Sequence, residues 1–160
     1  MEDNLRRSDR EITDRSEIDQ IIRDAQVCRV AFAFKDEPYL VPLSFGYDGE
    51  ALYFHTGRKG RKIDFITANP RVCFELEGHV EATPDLDEAC EWGFSYESVV
   101  GYGTVSELTS RDGKARGLEQ IMLQYSGREW GFASADLVNV RVWRLEVESL
   151  TGKRCPRGAA

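Results

Sequence analysis

Val27-Cys28-Arg29-Val30-Ala31-Phe32-Ala33-Phe34, Lys35-Asp36-Glu37-Pro38, Tyr39-Leu40-Val41-Pro42-Leu43-Ser44-Phe45-Gly46-Tyr47, Asp48-Gly49 and Ala51-Leu52-Tyr53-Phe54-His55 follow one another with few residues between them. The long pieces read as strands, rich in aromatic and β-branched residues with period two. The short pieces are turn signals, and Asp48-Gly49 is a tight one. Three strands joined this closely form an antiparallel meander.

The same reading extends in both directions. Upstream, Ser16-Glu17-Ile18-Asp19 looks like a helix start. Ser16 can cap and the acidic residues sit where the helix dipole favours them. Ile18, Ile21, Ile22 and Ala25 then make one apolar stripe. Downstream, Thr56-Gly57-Arg58-Lys59-Gly60-Arg61-Lys62 is a basic glycine loop leading to a short helix, with Ile63 and Ile66 inward and Asn69-Pro70 as its stop. Arg71 to Ala82 and Phe94 to Leu108 read as further strands around an acidic turn, Thr83 to Glu91. Gly101 and Gly103 suggest a bulge of the kind a barrel corner needs. Ser110 to Tyr125 reads as a helix with Leu118, Ile121, Met122 and Tyr125 as its apolar face, and Gly127 suits its end. Val138 to Val147 alternates again. The pattern predicts a mainly β (α+β) fold: a small antiparallel barrel of six to seven strands with two or three flanking helices.

Composition narrows the class. The 160 residues are 41% hydrophobic and 31% charged, which fits one globular domain. The domain is expected over 16–153, with a polar extension over 1–15 and a tail over 154–160. A net charge of −7 opposes nucleic-acid binding by a general basic face. No apolar run approaches the ~20 residues of a membrane helix. The charged N-terminus lacks the apolar core of a secretion signal, so a cytoplasmic location is the default. Cys28, Cys73, Cys90 and Cys155 form no C-x-x-C pair and make no zinc set with His55 and His79, so no metal site is expected.

Two stretches can carry chemistry. Pro42 lies in an otherwise good strand and lacks an N–H, so the ladder there is open on one side. That describes an edge strand, or a backbone that faces a planar ligand with Ser44 nearby. The basic loop has cations, glycines that let an anion approach the backbone, and a helix start offering free N–H groups. It lacks the spacing of a nucleoside-triphosphate loop, and a monophosphate suits it better. His55 ends the strand just before this loop, either as a structural residue or as a proton shuttle. Ser98 could donate to a phosphate oxygen if the barrel brings it beside the loop.

In order, Val41-Pro42-Leu43-Ser44-Phe45-Gly46-Tyr47, Leu52-Tyr53-Phe54-His55-Thr56, Gly60-Arg61-Lys62-Ile63-Asp64, Asn69-Pro70-Arg71-Val72-Cys73-Phe74, Tyr96-Glu97-Ser98-Val99-Val100-Gly101-Tyr102-Gly103 and Leu145 to Lys153 resemble the pyridoxamine 5′-phosphate oxidase-like flavin proteins, in the branch of nitroimidazole-resistance proteins. The resemblance implies a split β-barrel and a homodimer with FMN at the subunit interface. It implies that Val41, Pro42, Leu43, Ser44 and Phe45 lie along the flavin ring. His55, Thr56, Arg58, Gly60, Arg61, Lys62 and Ser98 would bind the cofactor, and His55 would be catalytic. Lys62 and Arg61 are the favoured phosphate ligands, with Arg58 in reserve. The implied activity is an FMN-dependent oxidoreductase that reduces small electron-poor aromatics such as nitroimidazoles, with NAD(P)H as donor. A flavin-binding or redox-sensing module without turnover is the competing reading. A barrel holding FAD, a deazaflavin or haem is another.

Overall fold

The computed structural model describes residues 8–85 and 87–156. Parts of the expected extension (1–7) and tail (157–160) lie outside them. Eight strands and three α-helices are present among the described residues, one strand more than the upper expectation. The strands are β1 (Glu11–Ile12), β2 (Cys28–Phe34), β3 (Glu37–Leu43), β4 (Gly46–Tyr47), β5 (Ala51–Thr56), β6 (Arg71–Thr83), β7 (Gly93–Leu108) and β8 (Arg141–Cys155). The helices are α1 (Arg15–Asp24), α2 (Arg61–Ala68) and α3 (Arg111–Ser126).

All pairing is antiparallel, in the order β3-β2-β6-β7-β8-β5-β4, with β1 on β8. The two ends of that order, β3 and β4, are joined only by Ser44-Phe45. A link this short spans roughly 10 Å. The sheet therefore curls until its two edges meet at Phe45, and it closes through the chain instead of through a ladder. That is a split barrel.

The expected strand Tyr39 to Tyr47 is thus two strands broken at Ser44-Phe45. The Phe45 N–H finds no ladder partner and donates to the Tyr125 hydroxyl (3.1 Å), which donates to the Gln26 carbonyl (3.0 Å). At the β2–β3 turn, Lys35 and Asp36 both have positive φ (50° and 63°), the geometry a two-residue hairpin demands. The register of β7 against β8 shifts between Tyr102 and Gly103, where a Cβ on Gly103 would lie 2.2 Å from the Glu146 carbonyl oxygen. The glycine is there because the bulge presses backbone on backbone.

The ends of the chain depart from expectation. Asp14, not Ser16, caps α1 and accepts the Ser16 N–H (2.8 Å). Glu11 and Ile12 pair with Lys153 and Gly152, and β8 runs to Cys155, so ladders extend beyond 16–153 at both ends. The α3 surface that packs is Gly113, Gly117 and Ile121 with Leu118 beside them, while Tyr125 is 42% exposed and reaches Phe45 with its ring. Small residues win there because α3 lies directly on the sheet: a Cβ on Gly117 would be 2.6 Å from Val142. The main core is Ile18, Ile21 and Ile22 of α1 with Val30, Phe32, Phe54, Phe74, Leu76, Val99, Trp143 and Leu145 of the sheet. No helix among the described residues is long and apolar enough to cross a membrane.

Candidate functional site

The split is where the site lies. β4 pairs only with Leu52 and Tyr53 of β5, so Phe54, His55 and Thr56 have no strand on that side. β3 pairs with β2 and is unpaired along its other edge. The two open edges diverge from Phe45, and the loop of residues 57–60 and α2 follow directly from β5. A cleft of about 370 Å³ lies between them, lined by Tyr39, His55, Thr56, Gly57, Lys59, Gly60, Arg61, Lys62 and Ile63. Tyr39 of β3 and the loop that follows His55 thus line one cleft, while Pro42 and Ser44 are not in its lining.

Its lining carries Lys59, Arg61 and Lys62 and no acidic residue. Lys62 is half-buried, and dehydration lowers its pKa below the ordinary 10.5. Among the described residues neither Lys62, Lys59 nor Arg58 lies within ion-pair distance of a carboxylate. A half-buried ammonium without a counter-charge is costly unless an anion joins it. The N-terminus of α2 opens at the same place. Its cap, Gly60, has φ 146° and offers no side-chain bond, so the first-turn N–H groups of Arg61 and Lys62 remain for a ligand. Beyond Gly60 a Cβ would meet open space, so the glycine serves the backbone angle and the approach of a ligand, not packing.

His55 projects from β5 at the cleft rim. Partial dehydration comes first and the Lys62 charge second in holding its pKa below 6.5. In the free protein the ring is therefore neutral at neutral pH and able to accept a hydrogen bond.

The other expected residues divide clearly. Arg61 is held by Glu37 of β3 and stacks over the rings of Tyr39 (4.8 Å) and Phe65 (5.4 Å), so it is a wall of the cleft already neutralised by a carboxylate. Thr56 is buried, its hydroxyl accepting from Trp143 Nε1 (3.0 Å) and donating to the Gly57 carbonyl (2.9 Å). Arg58 is exposed on the loop and does not line the cleft. Val41 is partly buried on the inner side of β3; Pro42 and Ser44 are exposed. Leu43 (8% exposed) and Phe45 (1%) have their side chains in the core, so only their backbone is available to a ligand ring. Phe45 turns inward because its ring packs edge-on to Tyr125 (6.3 Å).

Ser98 is not brought to the cleft within the chain. His55 is paired with Val142 and Val142 with Leu108, ten residues along β7 from Ser98, roughly 30 Å of strand. Tyr39 and Glu37 are the residues that sequence reasoning missed. Their signal was their place on the same edge strand as Pro42, with Tyr39 in its inward phase.

The other clefts are chemically different. One of about 520 Å³ is lined by Glu50, Glu146 and Glu148 against a single Arg15, which repels an anion.

The family comparison agrees with the fold. Residues 14–154 match the family model described as pyridoxamine 5′-phosphate oxidase. The chain belongs to the pyridoxamine 5′-phosphate oxidase family. Among solved structures it is similar to a candidate 5-nitroimidazole antibiotic resistance protein from Bacteroides thetaiotaomicron, with 30% identity and a TM-score of 0.79 over 90% of this chain and 86% of that one. It is also similar to a FAD-binding protein from Mesorhizobium loti, with 25% identity and a TM-score of 0.67 over 92% of this chain and 98% of that one. An uncharacterized protein of Rhizobium meliloti is 29% identical over 102 residues, 64% of this chain and only 60% of that relative. With the two solved structures the fold is thus shared along nearly the whole chain.

Proposed function

We propose that this protein binds FMN in the cleft between β3 and the loop of residues 57–62, and that it is a flavin-dependent oxidoreductase. The observation that carries the reading is Lys62: a half-buried cation with no carboxylate partner among the described residues, beside an uncapped helix start. A ribityl phosphate supplies the charge this place lacks. The membership in the pyridoxamine 5′-phosphate oxidase family and the FAD-binding neighbour support a flavin in general. FMN is preferred over FAD because the cleft opens at a single helix start and Arg61 is already neutralised by Glu37.

The chain's own residues divide the work. Lys62 and the first-turn N–H groups of α2 hold the phosphate, with Lys59 at the rim. The free edge of β3 around Pro42 and Ser44 lies open to a flat ring. His55, between the two, holds or gives a proton once a bound dianion has raised its pKa. A bound flavin supplies the electron transfer between a reduced nicotinamide and an acceptor. The similarity to the Bacteroides protein favours a small electron-poor aromatic, such as a nitroimidazole, as that acceptor.

A homodimer is part of this reading. The outer face of β3, β2, β6 and β7 carries Leu40 (62% exposed), Val100 (39%) and Tyr102 (37%) beside Pro42 and Ala31. Arg29, Glu75 and Glu77 lie on the same face and neutralise one another, and this mixture of apolar residues and paired charges is suited to a second copy.

The visible spectrum after FMN reconstitution tests the proposal. Bound flavin that bleaches anaerobically with NADH or NADPH is expected. Absence of flavin absorbance would overturn the cofactor assignment. Bound flavin that no donor reduces would leave a binding module.

A further inference from the structure

The loop of residues 57–60 has little of its own to hold it in shape. A Cβ at Gly57 or at Gly60 would meet open space, so packing does not fix the two glycines. Among the described residues Arg58 and Lys59 make no ion pair. Outside the ladders, one hydrogen bond among the described residues touches residues 57–59. It is the bond from the Thr56 hydroxyl to the Gly57 carbonyl, at 2.9 Å.

The direction of that bond is set from inside the barrel. Thr56 and Trp143 are both buried, and the Thr56 oxygen receives the Trp143 indole N–H at 3.0 Å. An indole N–H can only donate, so the Thr56 oxygen accepts there and its own proton goes to Gly57. Trp143 is itself fixed. Its ring stacks on Phe54 (6.4 Å, 17° between planes) and lies under the Arg141 guanidinium (4.6 Å). Arg141 is held in turn by the Glu107 carboxylate through two nitrogens. A chain of contacts thus runs from β7 through β8 and β5 to the first peptide of the loop. That peptide is planar, so a Gly57 oxygen turned onto Thr56 also fixes the Arg58 N–H on the opposite side. Without the pin the glycine lets the plane turn, and the negative end of a carbonyl then opposes an anion at the start of α2.

We propose that Thr56 is a positioning residue for the bound phosphate, with Trp143 as its anchor. Its hydroxyl touches no ligand in this role. It keeps the Gly57 carbonyl turned away and the loop in its anion-ready shape before the ligand arrives. Order set in advance raises affinity because less is lost on binding. The inference rests on the flavin reading for the identity of the anion, whereas the pin itself is measurable in the free protein.

FMN and riboflavin differ only in the phosphate, which isolates the effect. Thr56→Ser keeps the hydroxyl, and Thr56→Val removes it at similar size. T56V is expected to bind FMN about tenfold more weakly, the worth of one hydrogen bond. Its riboflavin affinity should stay that of the parent, and T56S should match the parent on both. Equal losses on FMN and riboflavin would make Thr56 merely structural and overturn the inference, as would parental FMN affinity in T56V. T56V leaves the Trp143 N–H without an acceptor in the core. The T56V/W143F pair removes donor and acceptor together and carries the same expectation where T56V alone does not fold. Amide relaxation by NMR follows the pin with no ligand present. Gly57 and Arg58 should be rigid in the parent and in T56S, with order parameters falling below about 0.6 in T56V. A loop that stays rigid in T56V overturns the inference whatever the flavins do. If the parent binds neither flavin, the flavin reading falls, while loosening in T56V still supports the pin.

Discussion

Lys62 and His55 sit close enough to sense one another, and the proposed ligand would change both. Lys62→Ala is expected to weaken FMN by about 1.5–3 kcal/mol, as for a lost charge-assisted hydrogen bond; fluorescence titration measures it, and an unchanged Kd would refute Lys62 as the phosphate ligand. In the free protein, dehydration and the Lys62 charge disfavour the His55 imidazolium. The unfolded chain therefore takes up that proton more readily, so His55 costs stability as pH falls below about 6.5. A bound phosphate dianion acts in the opposite sense and raises the pKa. Binding should then take up protons, and affinity should fall as pH rises through the bound-state pKa. NMR titration of the His55 ring with and without FMN checks this. A downward shift on binding would place the phosphate elsewhere. His55→Ala should retain most flavin affinity but slow donor-dependent turnover, and normal turnover would return His55 to a structural role.

Between elements, the decisive contacts are those that hold the split at its apex. Gly46 of β4 has no room for a side chain, since its Cβ would lie 2.2 Å from the Gln120 backbone of α3. Gly46→Ala should cost about 1–3 kcal/mol, occasionally more, because both partners are backbone; denaturant melts report it. Tyr125 acts on the same bend through its hydroxyl, shared by the Phe45 N–H and the Gln26 carbonyl. Tyr125→Phe leaves a buried N–H unsatisfied, with an expected loss of about 1–3 kcal/mol. A melt unchanged from the parent would show that this bend does not depend on the hydroxyl. The α3 case also shows how a helix pattern misleads. Leu118, Ile121, Met122 and Tyr125 make the obvious stripe, yet Gly113 and Gly117 take the innermost positions because close approach to the sheet outweighs side-chain hydrophobicity there.

For the whole molecule, the open question is what covers the outer face of the β3-β2-β6-β7 part of the sheet. Leu40→Glu puts a charge on the edge strand of that face without touching the core, since Leu40 is 62% exposed in the single chain. Sedimentation should show a shift from dimer to monomer at micromolar concentration, with the melt of the monomer close to that of the parent. A dimer that persists would move the interface to another surface. Loss of flavin along with the dimer would tie the cleft to the assembly.

The order of strands, both long helices and the basic loop were readable along the chain, because period and turn chemistry are local: Asp48-Gly49, the Ile18-Ile21-Ile22 stripe and Gly57-Arg58-Lys59-Gly60 act within a few residues of themselves. Ordered motifs further supplied the resemblance to a flavin-binding family. Tertiary structure alone decided which cations are free. Glu37 is twenty-four residues from Arg61 and claims it, while Lys62 next door has no such partner among the described residues. It likewise put Phe45 in the core, Thr56 under Trp143 and Ser98 far from the loop. Those outcomes depend on which strands the curled sheet sets side by side, and the contacts that fix them join residues far apart in the chain.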